Sequence, residues 1–241
     1  MYDYEWLKTN SKTGDLLLYK EFSVLGKLIE FFTHSNYSHC GIIIRNDNEK
    51  IQKAFNLEDN EVYFFNSTGL LKIKDYFSGK SHILAVQVNK FTDVLAFQKQ
   101  VDPKLIYYYR PLTCTRDDAF YDNLINVSIK TRDLPYDVNP IDWINSMFYQ
   151  DLTQDGETAP QATATISIVE KIMRLTPSFR KKETYFCSAL VAYAYYKLNL
   201  ISNTTQWTVI TPKEFAEDNK NKNAIVFTEG NSLGSQIIMQ F

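Results

Sequence analysis

Glycine is scarce, at 8 of 241 residues, and no phosphate-cradling glycine loop is present. The glycine-loop nucleotide enzymes are therefore excluded by pattern. There is no G-x-S-x-G elbow and no H-E-x-x-H pair, so the corresponding serine-hydrolase and zinc-protease signatures are also missing. Three cysteines, Cys40, Cys114 and Cys187, cannot form a disulfide framework, and no C-x-x-C pair exists. A sparse, odd count fits a reducing compartment, where an isolated thiol is available as a nucleophile. Charge of neither sign is in excess: 26 basic against 28 acidic side chains leave a formal net charge of −2. Nucleic acid is not an expected partner, because its binders present a net basic face. No apolar run approaches the roughly 18 residues of a membrane span. The opening MYDYEWLKTN has no basic stretch followed by an apolar one, so no secretory signal is expected.

Apolar material is plentiful. Hydrophobic residues make up 44% and aromatics 15%, with 16 Tyr and 16 Phe, which is too much for a disordered chain and enough for a sizeable core. Strands are predicted at 14–19, 38–45, 61–67, 83–88 and 104–110, with short final ones at 224–227 and 236–239. Leu25, Leu28, Ile29 and Phe32 recur at helical spacing and predict an amphipathic helix over 23–32. Further helices are predicted over 115–130, 142–149, 166–175 and 187–199, with a short one opened by Thr211-Pro212. Strands gather early and helices late, which predicts an α+β fold in a single domain over 1–241. Residues 150–163 are polar and turn-rich and read as a surface segment.

Cys187 is the sharpest chemical candidate. It opens a helical pattern, where free N–H groups and the helix dipole favour a thiolate. An apolar helix face is also an ordinary place for a buried structural cysteine. His39 opens a strand on the side shared by Gly41 and Ile43. The missing side chain at Gly41 predicts open space beside the imidazole. A neutral imidazole near a thiol takes its proton and leaves a thiolate–imidazolium pair; a strand-end histidine bonded to a loop is the plainer alternative. Asn66 lies on the next strand, on the face of Val62 and Phe64, where its amide oxygen can orient His39. It can equally start the Ser67-Thr68-Gly69 turn. Glu61 is a fallback orienter at the far end of that strand. Cys40 alternates away from His39 and is expected in the core. His34 suits a helix C-terminus, His82 has no partner in view, and Cys114 carries no signal. The spacing of His34, His39 and Cys40 matches no zinc pattern, so no metal or other cofactor is expected. Tyr107-Tyr108-Tyr109 reads as a buried strand and not as a stacking platform.

At these residues the sequence resembles a known family. GDLLL, a helix, NYSHCGIII, a strand ending in a polar residue, and late in the chain YFCSALVAYAYYKLNLI follow in the order of the circularly permuted branch of the NlpC-type papain-like superfamily, found in bacteria and large DNA viruses. In that branch the histidine strand comes first and the cysteine helix last. The resemblance implies a small antiparallel sheet or open barrel packed on the helix that bears the cysteine. His39 matches the family histidine and Cys187 the family cysteine. Asn66 falls at the polar third position, most often Glu in this branch. Leu134-Pro135-Tyr136-Asp137 is similar to a groove-lining segment, although its preceding glycine is missing. Asp15 matches a structural GD pair. Tyr37, Tyr136 and Tyr185, which accompany the histidine, groove and cysteine motifs, are the implied substrate contacts.

The expectation is therefore a cysteine hydrolase of an amide or ester bond (peptidase, amidase, or acyl hydrolase or transferase). It would use a Cys187-His39-Asn66 triad through an acyl-enzyme, on a peptide or an acyl or lipid-amide substrate. The alternative is a non-catalytic binding or virion structural protein that keeps the papain-like fold. Residues 138–183 are longer than the usual connection and read as a helical or loop insertion, a surface for a virion or membrane partner. A membrane-docking role for the 23–32 helix ranks lower, because its polar face has few basic residues. The expected location is cytoplasmic, in a reducing compartment, or in a virion.

Overall fold

The computed structural model describes residues 2–20, 36–68, 73–81, 85–134, 186–219 and 224–241. Stretches such as Leu16-Leu17-Leu18-Tyr19 and Ile42-Ile43-Ile44 are apolar at successive positions, so both faces of each strand must find cover. The architecture answers that demand. In chain order the elements are α1 (Tyr4–Asn10), β1 (Leu16–Lys20), β2 (His39–Arg45), α2 (Glu49–Phe55), β3 (Val62–Thr68), β4 (Ala85–Lys90), α3 (Phe91–Val101), β5 (Ile106–Arg110), β6 (Leu112–Thr113), α4 (Asp118–Thr131), α5 (Cys187–Lys197), β7 (Ser232–Leu233) and β8 (Ile237–Met239). Two 3-10 turns, Trp207–Val209 and Pro212–Phe215, follow α5. The fold is mixed α+β, built on a six-stranded antiparallel sheet of order β4-β3-β2-β1-β5-β8.

Alternation along the strands sorts the core into two parts. Leu16, Leu18, Cys40, Ile42, Ile44, Tyr63 and Phe65 share one cluster with Leu190, Val191 and Tyr195 of α5 and with Phe120 and Leu124 of α4. Leu17, Tyr19, Ile43, Val62 and Phe64 share the other with Leu7 of α1 and with Phe91, Val94 and Leu95 of α3. Each large side chain fully withdrawn from water contributes roughly 1.5–3 kcal/mol.

The entry to β1 is fixed by polar bonds. Gly14 has φ +99°, and a Cβ there would stand 2.7 Å from the Phe120 ring, so a side chain is excluded twice over. Asp15 then accepts from the backbone N–H groups of Lys12 (2.7 Å) and Leu112 (2.8 Å), from Tyr109 Oη (2.6 Å) and from Arg116 (2.8 Å). Burial pushes its carboxyl up from the ordinary range, against the pull of these donors. The role of the GD pair is thus to lock β1 to β5, to the strand turn that follows it and to the start of α4.

The structure departs from the sequence expectations at several elements. Helices α1, α2 and α3 interleave with the early strands, so strands and helices are not segregated along the chain. Residues 224–227 make an isolated bridge, Ile201 to Phe227, and no strand. The predicted helices over 23–32, 142–149 and 166–175, most of the 138–183 insertion, and His34 and His82 lie outside the described residues. Among the described residues no helix is long and apolar enough to cross a membrane.

Candidate active site

Cys187 is the first residue of α5, as the sequence pattern predicts. Phe186 precedes it in an extended conformation and gives no side-chain cap, so no cap side chain occupies the N–H groups of the first turn. The helix is buried over nearly its whole circumference, including Ser188, Ala189, Leu190, Val191 and Ala192. Two polar ties hold it in place: Ser188 Oγ donates to Ile210 O (2.6 Å), and Tyr195 Oη donates to Gly14 O (2.8 Å). The second tie joins the helix to the turn that starts β1.

The packing of α5 on β2 brings the Cys187 sulfur to the first two residues of that strand, 148 positions earlier in the chain. The Cys40 thiol, the His39 imidazole and the Cys40 backbone lie near enough to the Cys187 sulfur to favour its anion. Together they hold the Cys187 thiol well below the ordinary thiol range, against the opposing effect of burial. Cys40 moves the other way: burial, then the neighbouring Cys187, push its thiol well up. Cys187 is 4% exposed and His39 7%.

Sequence reasoning placed His39 and Cys187 together and missed Cys40. Cys40 is in the core as expected, yet its sulfur lies against the nucleophile candidate. The signal was present in the His39-Cys40 adjacency. Cys40 shares the α5 face of β2 with Leu18 and Ile42, whereas the His39 ring packs on Tyr19 and Phe64, which belong to the cluster of the opposite face.

The surroundings of His39 differ from expectation. Its ring stacks on Tyr19, its partner across the β1–β2 ladder, with centroids 4.6 Å apart, and it faces Phe64 at 6.1 Å. The space above Gly41 is not open. A Cβ there would meet two Phe64 ring carbons at 2.6 Å and the Phe65 carbonyl at 2.8 Å. Glycine at 41 lets the Phe64 ring lie flat on β2 and wall the imidazole.

Asn66 is fully buried on the His39 side of the sheet. Its amide Nδ2 donates to Phe64 O (3.1 Å) and to Asn89 Oδ1 (3.0 Å). Asn89 Nδ2 in turn donates to Lys74 O (3.1 Å) and Gln87 Oε1 (3.2 Å). No hydrogen bond joins Asn66 to His39 among the described residues. The Asn66 Oδ1 atom is buried without a hydrogen-bond partner among them. With both donors engaged, the amide can offer only this oxygen to the imidazole. Glu61 is remote, bonded to Tyr4 and paired with Lys90 at 3.2 Å.

Tyr37 is buried. Its hydroxyl donates to Asp218 Oδ1 (3.1 Å) and accepts from Gln236 Nε2 (3.0 Å), and its ring packs edge-on against Tyr108 at 5.2 Å. These bonds pin the entry to β2 against the C-terminal residues. Tyr136 and Tyr185 lie outside the described residues. Among the described residues no three His, Cys, Asp or Glu side chains converge on a metal position. A shallow surface depression lined by Asn46, Asp47, Asn48, Glu49, Gln52 and Lys53 sits at the opposite end of β2 from His39.

No protein-family model matches the chain, and no curated protein matches it. Among solved structures, the chain is similar to the crystal structure of metalloprotein yiiX from Escherichia coli O157:H7, at 14% identity and a TM-score of 0.44, over 94% of this chain and 98% of that one.

Proposed function

We propose that the chain is a cysteine hydrolase of amide or ester bonds with a permuted papain-like arrangement, acting through an acyl-enzyme. The observation that carries this reading is Cys187 at the start of α5, with the His39 imidazole near enough to favour its anion. The thiolate attacks the substrate carbonyl carbon, and the carbonyl electrons move to oxygen. The uncapped N–H groups of the first turn of α5, that of Cys187 first, face the charge that develops there. The imidazolium of His39 then protonates the leaving group. The resulting thioester is cleaved by water, with His39 as base, or by another acceptor in a transferase. Asn66 serves as the positioning residue of His39, through its remaining amide oxygen. The substrate is a peptide or an acyl or lipid amide.

An acyl-transferring activity-based probe tests the reading. The wild-type chain is expected to be labelled at Cys187, and Cys187→Ala and His39→Ala to lose labelling and turnover by orders of magnitude. Undiminished turnover in Cys187→Ala overturns it. The near-complete burial of Cys187 and His39 favours a second reading, a binding or structural protein that keeps the fold without turnover. That reading predicts a thiol no probe larger than a simple alkylating agent can label.

A further inference from the structure

The mechanism above uses one thiol, and the structure sets two side by side. Cys40 and Cys187 are 0% and 4% exposed and belong to one packed cluster, in which α5 lies against β2. Cys114, the third cysteine, is only partly buried and follows β6. A thiol packed in the same cluster as the candidate nucleophile can take part in redox chemistry that a serine or alanine in its place could not. We propose that Cys40 is a resolving cysteine, and that hydroperoxides convert Cys187 and Cys40 into a reversible intramolecular disulfide that silences the site. This inference rests on the reading of Cys187 as a reactive nucleophile.

The chemistry closes in two steps. The Cys187 thiolate attacks the distal oxygen of a hydroperoxide, the O–O bond breaks, and the products are the Cys187 sulfenic acid and hydroxide, or an alcohol after proton transfer. Sulfur is oxidised and peroxide reduced. The Cys40 sulfur then attacks the sulfenic sulfur, and the S–O bond breaks. The Cys40 proton leaves with the hydroxyl as water, and the S–S bond forms. Cys187, at the helix start and favoured as the anion by its neighbours, is the first to meet the oxidant, and Cys40, whose thiol burial pushes up, is the second reactant. A small peroxide reaches a sulfur of this low exposure more readily than an acyl substrate does. Disulfides in reducing compartments are mostly transient and redox-sensing, which fits this role. Without Cys40, the sulfenic acid would proceed to the irreversible sulfinic and sulfonic acids.

The test treats the full-length reduced protein with graded hydrogen peroxide, blocks remaining thiols, and maps tryptic peptides by mass spectrometry. The wild type is expected to yield a cross-link between peptides 28–45 and 183–197, lost on reduction with dithiothreitol, which also restores a free Cys187. Cys40→Ser and Cys40→Ala, the second included in case the first fails to fold, are expected to lose the cross-link and gain sulfinic and sulfonic Cys187 at the same peroxide dose. Three results overturn the proposal: no cross-link in the wild type, a disulfide through Cys114 instead, or equal over-oxidation with and without Cys40. Probe labelling of the untreated protein reads the hydrolase hypothesis separately. Labelling without a cross-link removes only the switch, and a cross-link without labelling removes only the hydrolase.

Discussion

At the scale of single residues, the site is defined by two neighbouring thiols pushed in opposite directions. Cys187 gains a thiol donor, an imidazole and a backbone contact, whereas Cys40 gains mainly burial. Removing a group that favours the anion raises the pKa of the thiol it served. The rate of Cys187 alkylation by iodoacetamide should therefore level off well below the ordinary thiol pKa of about 8.5. Both Cys40→Ala and His39→Ala should move the inflection upward, measured by stopped alkylation across pH. Asn66 makes a separate prediction. Asn66→Leu leaves Asn89 Oδ1 without this donor and, on the proposed hydrolase reading, removes the oxygen offered to His39. It should lower kcat more than it raises KM and shift the pH profile, whereas a merely structural loss would leave the pH profile of the surviving fraction unchanged. Residue type and position made His39 and Cys187 legible in the sequence: a histidine at a strand start and a cysteine at a helix start. Alternation correctly sent Cys40 to the face opposite His39; what it did not reveal is that α5 and Cys187 pack on that same Cys40 face.

At the scale of elements, the pairing of β2 with β3 shapes the imidazole's surroundings. Phe64, opposite Ile43, leans over Gly41 and walls the ring. Gly41→Ala would force this ring or the Phe65 carbonyl to shift. Overpacking of this kind costs about 1–3 kcal/mol. A urea titration should show that loss as a lower midpoint with an unchanged slope, together with slower alkylation of Cys187 as His39 is displaced. The strands were readable because three to five apolar residues in a row left few other options. Among the helices, α3 carried a readable signal in Phe91, Val94, Leu95 and Gln98, all buried, but it follows β4 directly, with no loop to announce it. Helix α2 offered Asn48 as cap, with its side chain accepting from Lys50 N, and the pair Ile51 and Phe55. Helix α1 buries Leu7 alone and had no period to detect. The strand expected at 224–227 has the composition for pairing but, beyond a single bridge to Ile201, no partner strand among the described residues.

At the scale of the whole molecule, Asp15 joins elements that local reading keeps separate. Its oxygens serve the loop before β1, the side chain of Tyr109 in β5, the backbone of β6 and the Arg116 that precedes α4. Asp15→Ala leaves buried donors and a guanidinium without their acceptor, and breaking such an arrangement costs roughly 3–5 kcal/mol. Chemical denaturation should show a loss of that size, with Cys187 chemistry in the surviving folded fraction little changed. The α+β class was legible from the strand and helix patterns, while the strand order was not. No local signal says that β1 lies between β2 and β5, because that choice depends on which faces the late helices cover. The distance along the chain between the two halves of the site has a consequence for biosynthesis. An emerging polypeptide displays its imidazole and its first thiol long before α5 is translated. Incomplete chains therefore lack a reactive centre, and any chemistry here begins only after the late helix has docked onto strands made much earlier.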